Sequence, residues 1–499
     1  MTKATRFLLG PAASIRTHYE VNHNTKGSAT NLKPITTPLV YFGNSGGLAH
    51  IRHGPGSATP RLGAGFKVIR ASVLPFVQTL STANMSFNSE SSSFQIAVSD
   101  IQLSVLQQKL ELTILPDELD DAGWSYGAPL ADIQRLITRW KSGYNWRTEE
   151  AKLNAEMPQF TRDIDVEGFG TLNIHYVYKK SKVEGAIPLL FIHGWPGSFI
   201  EVRKILPLLV EASPDHPSFD VVALSLPGCG FSEAPKKKGF AMDQYAEVGH
   251  KLMLALGYDE YVAQGGDWGS TISRAIVKHF DKHAKAFHIN MPIVNATFPS
   301  LSRPLRLFSH FLSFVPLLDY SPRDKEGLAR MQAFKRDGMG YFTEQSTQPQ
   351  TLGYTLADSP VGLLAWIYEK LVRWTDDYKW DDDEVLTWIS IYYFSRAGPA
   401  ASVRIYYEFV HSAPGGKIEN MDFRPTTTPL GISYFPKEMM LLPRKWHKSP
   451  NLVFEAEHDS GGHFAAHEKP EVLVGDLRAM FGKGGPAFGV VKGKNGYTF

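Results

Sequence analysis

The stretch Val262–Ser270, VAQGGDWGS, decides how this chain is read. It follows Tyr261, ends an apolar run and leads into TISRAIVKHF. That order reads as a strand end, a sharp turn and a helix start. The same shape with serine at its apex, in the pattern G-x-S-x-G, is a nucleophile elbow that lifts one side chain above a sheet. Here the apex residue is Asp267. Taken alone, Asp267 reads more simply as the cap of the following helix. The surrounding sequence has to decide.

Working outward, an α/β rhythm surrounds the elbow. AIPLLFIHG is a short apolar run, and SFIEVRKILPLLVEA after it has helical spacing. FDVVALSLPG, YVAQGG and AFHINMP repeat the strand pattern, with YAEVGHKLMLALG and TISRAIVKHF as the intervening helices. Short runs without polar alternation, interleaved with helices, predict a mostly parallel sheet covered on both faces. Reactive groups then belong at the carboxyl ends of the strands, where His193, Pro227 and Asp267 fall. Residues 294–427 break the rhythm with aromatic, helix-compatible segments such as SPVGLLAWIYEKLVRW and EVLTWISIYYFSRA. GISYFP and NLVFEAE resume it. The core is therefore expected in two parts, 181–293 and 428–485, with a helical lid between them and a C-terminal tail over 486–499.

Residues 94–180 form a separate N-terminal region. SDIQLSVLQQKLEL carries Ile101, Leu103, Val105, Leu106 and Leu110 near helical spacing, with Ser99 or Asp100 as cap. PLADIQRLITRWKSG and Trp146–Leu153 predict two more helices, and GTLNIHYVYKK alternates like a strand. Residues 1–93 are basic, with Lys3, Arg6, Arg16, Lys26, Lys33, Arg52, Arg61, Lys67 and Arg70 against Glu20 and Glu90. They hold no lasting hydrophobic period and are expected to be a disordered extension, with an organelle-targeting segment as the alternative.

The 499 residues are 43% hydrophobic and 20% charged, a globular composition. The net charge of +2 gives no reason to expect a nucleic-acid or membrane-surface partner. The single cysteine, Cys229, cannot form an internal disulfide, which points to a cytoplasmic protein. No apolar run reaches the roughly 18 to 20 residues of a membrane span. No Cys/His cluster suggests a zinc site. Gly228–Ser232, GCGFS, is a poor nucleotide loop, since Glu233 stands where a third glycine is needed.

Two further motifs complete a constellation with Asp267. HGWPGS, His193–Ser198, ends an earlier predicted strand. An oxyanion hole needs two backbone N–H groups converging on one oxygen, and those of Trp195 and Trp268 are the natural pair. SGGHFAAHE follows the last predicted strand, and its His463 is favoured over His458 and His467 because Gly461-Gly462 gives a tight loop. A nucleophile followed by a later histidine is the chain order of this kind of site. A carboxylate at the elbow needs no base before it attacks, being ionised with a reference pKa near 3.9. It attacks saturated carbon and forms an alkyl ester, leaving the histidine free to activate water. The expected substrate therefore has a leaving group on sp³ carbon, such as an epoxide or an alkyl halide.

With these residues, the chain resembles the α/β-hydrolase-fold epoxide hydrolases of the microsomal type, particularly their soluble fungal members. The resemblance runs from about Phe94 to Phe481 and rests on HGWPGSFIE, LPGCGFSEAP, GGDWGS, GYFTEQSTQPQTLGYTLADSPVGLLAWIYEK, RIYYE, GISYFPKEMM and GGHFAAHEKPE. It implies that two lid tyrosines hold the epoxide oxygen, matching Tyr341 in GYFTEQ and Tyr406 in RIYYE, with Tyr407 as a competitor. It aligns Glu438 in FPKE with the acid behind the histidine, where many members have Asp; Glu457 and Asp459 are the fallbacks. The implied reaction converts a small apolar epoxide and water to a vicinal diol without a cofactor. The membrane-bound relatives carry an apolar anchor that this chain does not show. A haloalkane dehalogenase and a non-catalytic ligand-binding protein are the rival readings. Detoxification, a biosynthetic role and a homodimer all stay open. The rings of Trp366, Tyr368, Trp374, Tyr392 and Tyr393 suggest an apolar pocket.

Overall fold

The computed structural model describes residues 91–292, 320–413 and 426–498. The expectations for residues 1–90, 293–319 and 414–425 lie outside them. In chain order the strands are β1 (Ser92–Phe94), β2 (Gln159–Val166), β3 (Gly170–Lys179), β4 (Ile187–Ile192), β5 (Phe219–Leu224), β6 (Tyr261–Gly265), β7 (Ala284–Ile289), β8 (Leu430–Tyr434) and β9 (Leu452–Glu457). They form one sheet in the order β1-β2-β3-β5-β4-β6-β7-β8-β9. From β5 through β9 the pairings are parallel, and β1 to β3 add an antiparallel extension. Every residue of β4, β5 and β6 is buried, as runs without polar alternation require.

The chain leaves β4 towards β5 on one side and returns to β6 on the other. Strand order therefore reverses at β4. The loops after β4 and β6 diverge there, and that crevice is where open α/β sheets bind ligands.

The helices are α1 (Asp100–Glu111), α2 (Leu130–Ser142), α3 (Trp146–Glu156), α4 (Leu206–Val210), α5 (Met242–Ala255) and α6 (Asp267–His279) before the insertion. Between β7 and β8 come α7 (Pro322–Asp337), α8 (Gly340–Thr347), α9 (Pro349–Asp358), α10 (Pro360–Arg373), α11 (Asp382–Tyr393) and α12 (Arg404–Ser412). The described part of this insertion is thus helical. Two helices, α13 (Ala465–Glu468) and α14 (Pro470–Phe481), follow β9. Among the described residues no helix is long and apolar enough to cross a membrane.

Several expectations need correcting. Ser92 and Ser93 pair with β2, inside the stretch read as extension. The helix expected over SFIEVRKILPLLVEA is instead a 3₁₀ turn, Phe199–Val202, and the short α4. Pro207 falls in the first turn of α4 and cannot donate to a continuous helix running in from Phe199. In α1 the cap is Ser99, in a capping box with Gln102. Leu106 and Leu110 are buried there, but Ile101 is 76% and Val105 41% exposed. At 100° per residue, Ile101 lies about 140° from Leu106 and cannot share its face.

Candidate active site

The elbow forms where β6 meets α6. Asp267 has φ +48°, a left-handed conformation uncommon for a residue with a side chain. The crossing of strand and helix is tight: a Cβ on Gly269 would overlap the carbonyl oxygen of Ile192, at the end of β4. Such backbone strain costs of order 1–3 kcal/mol and persists where the surroundings over-determine it. Asp267 is not the helix cap, which is Gly266.

The loop after β4 turns onto this carboxylate. Trp195 N–H donates to Asp267 Oδ1 at 2.8 Å. Trp268 is the second residue of α6, so its N–H belongs to the first-turn donors without an intrahelical partner. His193 serves the loop itself. Its Nδ1–H donates to Gly194 O at 2.8 Å, and Leu226 N–H donates to its Nε2 at 3.1 Å. Burial pulls its pKa down to about 4, so the ring is neutral, as this donor–acceptor pair requires. The loop is also held from the insertion. Trp388 Nε1–H donates to Pro196 O and the Tyr392 hydroxyl to Gly197 O, each at 2.6 Å.

His463 lies between two carboxylates. Its Nε2 is 3.3 Å from Asp267 Oδ2, and its Nδ1 is 2.9 and 3.1 Å from the two Glu438 oxygens. Both His463 and Glu438 are buried. Burial alone would lower the His463 pKa; Glu438 and Asp267 overcome it and hold the ring well above its ordinary value of 6.5. Met439 N–H donates to Glu438 Oε1 at 2.8 Å and fixes that carboxylate. The competitors are occupied elsewhere. His458 meets Asp476 at 2.7 Å, and His467 meets Glu384 at 2.8 Å. Glu457 pairs with Arg323 and Arg444 at 2.8 and 2.9 Å, and Asp459 lies 3.6 Å from Arg323.

Tyr341 and Tyr406 come from α8 and α12 and are both buried. Their ring centroids are 5.7 Å apart. Tyr341 stacks on Trp195 at 5.5 Å with 8° between the planes, and Tyr406 meets Trp268 edge-on at 4.8 Å. Burial, followed for Tyr341 by the charge of Asp267, raises its phenol well above 10. Burial, then Tyr341 and Asp267, does the same for Tyr406. Both hydroxyls therefore keep their protons and can donate. Tyr407 is turned away, its ring on His411 at 3.8 Å.

Of the aromatic residues taken to suggest a pocket, Trp374 stands beside the site. Its ring lies 5.1 Å from both His463 and Tyr341, and its carbonyl accepts His463 N–H at 2.8 Å. Trp366 donates to Gln345 at 2.9 Å, Tyr368 to Asp132 at 3.2 Å, and Tyr393 packs on Phe394 at 5.1 Å, so these rings are framework. Nothing in the sequence marks Glu201 beyond its place at the end of the motif HGWPGSFIE. It lines a cavity with Trp195, Asp267 and His463. Burial first, then Asp267, pushes its carboxyl up to about 8.

Known proteins carry the same architecture. The family described as Epoxide hydrolase N terminus matches residues 91–202, and the alpha/beta hydrolase fold family matches residues 187–378. Epoxide hydrolase 1 of Sus scrofa is 35% identical over 416 residues, covering 78% of this chain and 88% of that protein. The structure of Aspergillus niger epoxide hydrolase has a TM-score of 0.65 at 34% identity, over 78% of this chain and 95% of that one. Juvenile hormone epoxide hydrolase from the silkworm Bombyx mori has a TM-score of 0.69 at 29% identity, over 79% of this chain and 94% of that one. Sequence similarity spans both the N-terminal region and the core that carries the elbow, and the chain belongs to the epoxide hydrolases of the α/β-hydrolase fold.

Proposed function

We propose that this epoxide hydrolase works through a covalent ester on Asp267. The Asp267 carboxylate attacks one ring carbon of an apolar epoxide, and the C–O bond on that carbon breaks. Tyr341 and Tyr406 hydrogen-bond the ring oxygen and deliver a proton to the alkoxide, a general-acid contribution typically worth about 10²–10⁴-fold. Water then attacks the ester carbonyl. His463 takes its proton, Glu438 stabilises the resulting imidazolium, and the N–H groups of Trp195 and Trp268 receive the tetrahedral oxyanion. His463 gives its proton to the departing alcohol and water's second proton restores the tyrosine, so the net reaction adds one water and yields a vicinal diol.

One observation carries this reading: the Asp267 carboxylate is held by Trp195 N–H at 2.8 Å on one oxygen and faces His463 Nε2 at 3.3 Å on the other. The charge balance is consistent with two steps. While Asp267 is ionised, His463 sits between two negative groups and its proton is held firmly. Esterification removes one of those charges, so the ring gives up its proton more readily at the stage when a base is needed. The buried phenols favour an epoxide over an alkyl halide, because an alkoxide needs a proton donor and a halide does not. The aromatic rings of Trp195, Trp374, Tyr341 and Tyr406 around Asp267 suit an apolar substrate.

The test is a trapped intermediate. His463→Gln treated with styrene oxide is expected to accumulate an adduct on the peptide containing Asp267. Wild-type enzyme run for a single turnover in ¹⁸O-water is expected to put little label in the diol. Full labelling of the diol on that turnover would mean direct attack by water and would end the ester mechanism.

A further inference from the structure

Glu201 is a buried carboxylate beside Asp267 to which the mechanism above gives no work. It lies in the 3₁₀ turn Phe199–Val202, directly after HGWPGS. Its side chain folds back along that loop, so that a Cβ on Gly197 would overlap Glu201 Oε1. The carboxylate thus fills the space left by a missing side chain in the loop that supplies Trp195 N–H. Together with Asp267 and His463 it lines a cavity of about 10 Å³, roughly the room one water needs. The titratable groups facing it are Asp267 on α6, His463 before α13 and Tyr392 on α11. A buried carboxylate is costly unless it is paired or used. The backbone of Gly194 and Ser198 supports it, but any acceptor oxygen could serve those groups.

We propose that Glu201 is a second acid–base group on the hydrolytic water: Glu201 and His463 hold one water between them, in the cavity beside the Asp267 ester. The inference rests on the ester mechanism and deepens it. In the resting enzyme Asp267 and Glu201 would be like charges sharing one cavity, and Glu201 keeps its proton. When Asp267 becomes an ester, its charge is gone and Glu201 loses its proton to solvent more readily, against the burial that remains. The water now donates one hydrogen bond to Glu201 and one to His463 Nε2. Its oxygen bonds to the ester carbonyl carbon as its proton passes to His463. The bond from that carbon to the alkyl oxygen then breaks, and His463 protonates the departing alkoxide. Asp267 regains its charge with one oxygen from water, and Glu201 takes its proton back.

Glu201→Gln separates this role from a structural one, because the amide keeps an acceptor oxygen for the loop and loses the charge. Rapid-quench kinetics with styrene oxide, following the Asp267 adduct by mass spectrometry, should show alkylation near the wild-type rate. Ester hydrolysis should slow by about 10- to 100-fold, the size of one lost hydrogen bond to a charged group. The pH profile of wild-type hydrolysis should need two deprotonations, and that of Glu201→Gln only one. Glu201→Asp should recover part of the rate. Hydrolysis at the wild-type rate in Glu201→Gln would overturn the proposal, as would equal losses in both steps with an unchanged pH profile. If Glu201→Gln does not fold, a wild-type profile with a single deprotonation still overturns it. Wild-type enzyme that never forms an Asp267 adduct would sink the ester mechanism and this proposal with it, an outcome distinct from the others.

Discussion

Replacing Glu438 by Gln asks whether His463 works because a charge stands behind it. The native carboxylate is fully buried, with its oxygens 2.9 and 3.1 Å from His463 Nδ1. At 2.9 Å and an effective dielectric of about 20, the attraction between carboxylate and imidazolium is about 6 kcal/mol. Desolvation offsets part of it. Breaking a buried pair by removing one partner costs about 3–5 kcal/mol. That loss falls on the step in which the imidazolium forms, so ester hydrolysis should slow by about 10²–10⁴-fold. Alkylation, which needs only the Asp267 carboxylate and a proton donor, should stay fast. Rapid-quench measurement should therefore show the adduct building to a high level at near wild-type speed and decaying slowly. Glu438→Asp should retain partial activity, since the charge survives one methylene further away. Glu457→Gln and Asp459→Asn belong in the same experiment, because those carboxylates already face Arg323. If Glu438→Gln hydrolyses its ester at the wild-type rate while one of them stalls, the reasoning fails.

Two further outcomes are expected. Tyr341→Phe and Tyr406→Phe should each slow adduct formation by roughly 10²-fold while leaving ester hydrolysis little changed. Equal losses in both steps, read in the same quench experiment, would remove these phenols from ring opening. The Glu384 carboxylate, 3.0 Å from Lys204 and 2.8 Å from His467, should make stability acid-sensitive. Burial opposes ionisation of Glu384, but His467 and Lys204 prevail and hold its pKa down to about 2, against an ordinary 4.5. Its contribution is complete above pH 4.5 and is lost as pH falls towards 2. Denaturation curves of Glu384→Gln should accordingly depend less on pH across that window than wild type, and superimposable curves would refute the assignment.

The sheet core was legible because its signal is local. Runs such as IPLLFI have no polar residue at any position and are too short for a buried helix, so between helical segments they read as strands covered on both sides. The elbow was legible too, since small residues around Asp267 announce a crossing too tight for side chains. β1 and β2 were not, because QFTRDIDV mixes burial states and is defined by its pairing with β3, a contact between distant residues. α1 shows the same limit: its apolar residues lie on two faces, and only packing decides which one is buried. Within the site, His463 and Asp267 followed from motif order, whereas Glu438, Tyr341 and Tyr406 came from family resemblance. Nothing local distinguishes Tyr406 from Tyr407; the difference is a helical phase that points one ring at Trp268 and the other at His411. Glu201 was hidden for a related reason, since its reach back over Gly197 depends on the turn that replaced a predicted helix.

The hydrogen bonds from Trp388 to Pro196, from Tyr392 to Gly197 and from His463 N–H to Trp374 have a consequence for engineering the enzyme. They rivet α11 and the end of α10 to the loops that carry Trp195 and His463. The two phenols ride on other helices, α8 and α12, which meet through the rings of Tyr341, Phe342 and Tyr406. The described part of the insertion thus has a portion hydrogen-bonded to the catalytic loops and a portion whose tyrosines meet Trp195 and Trp268 through ring contacts. Substitutions that reshape the cavity for bulkier or slimmer substrates belong on α8 and α12, where the riveted frame can stay in register. The same substitutions on α11 would shift the Trp195 amide and degrade turnover for every substrate alike. A library built on that division should trade selectivity against rate in one half of the insertion and lose rate without gaining selectivity in the other.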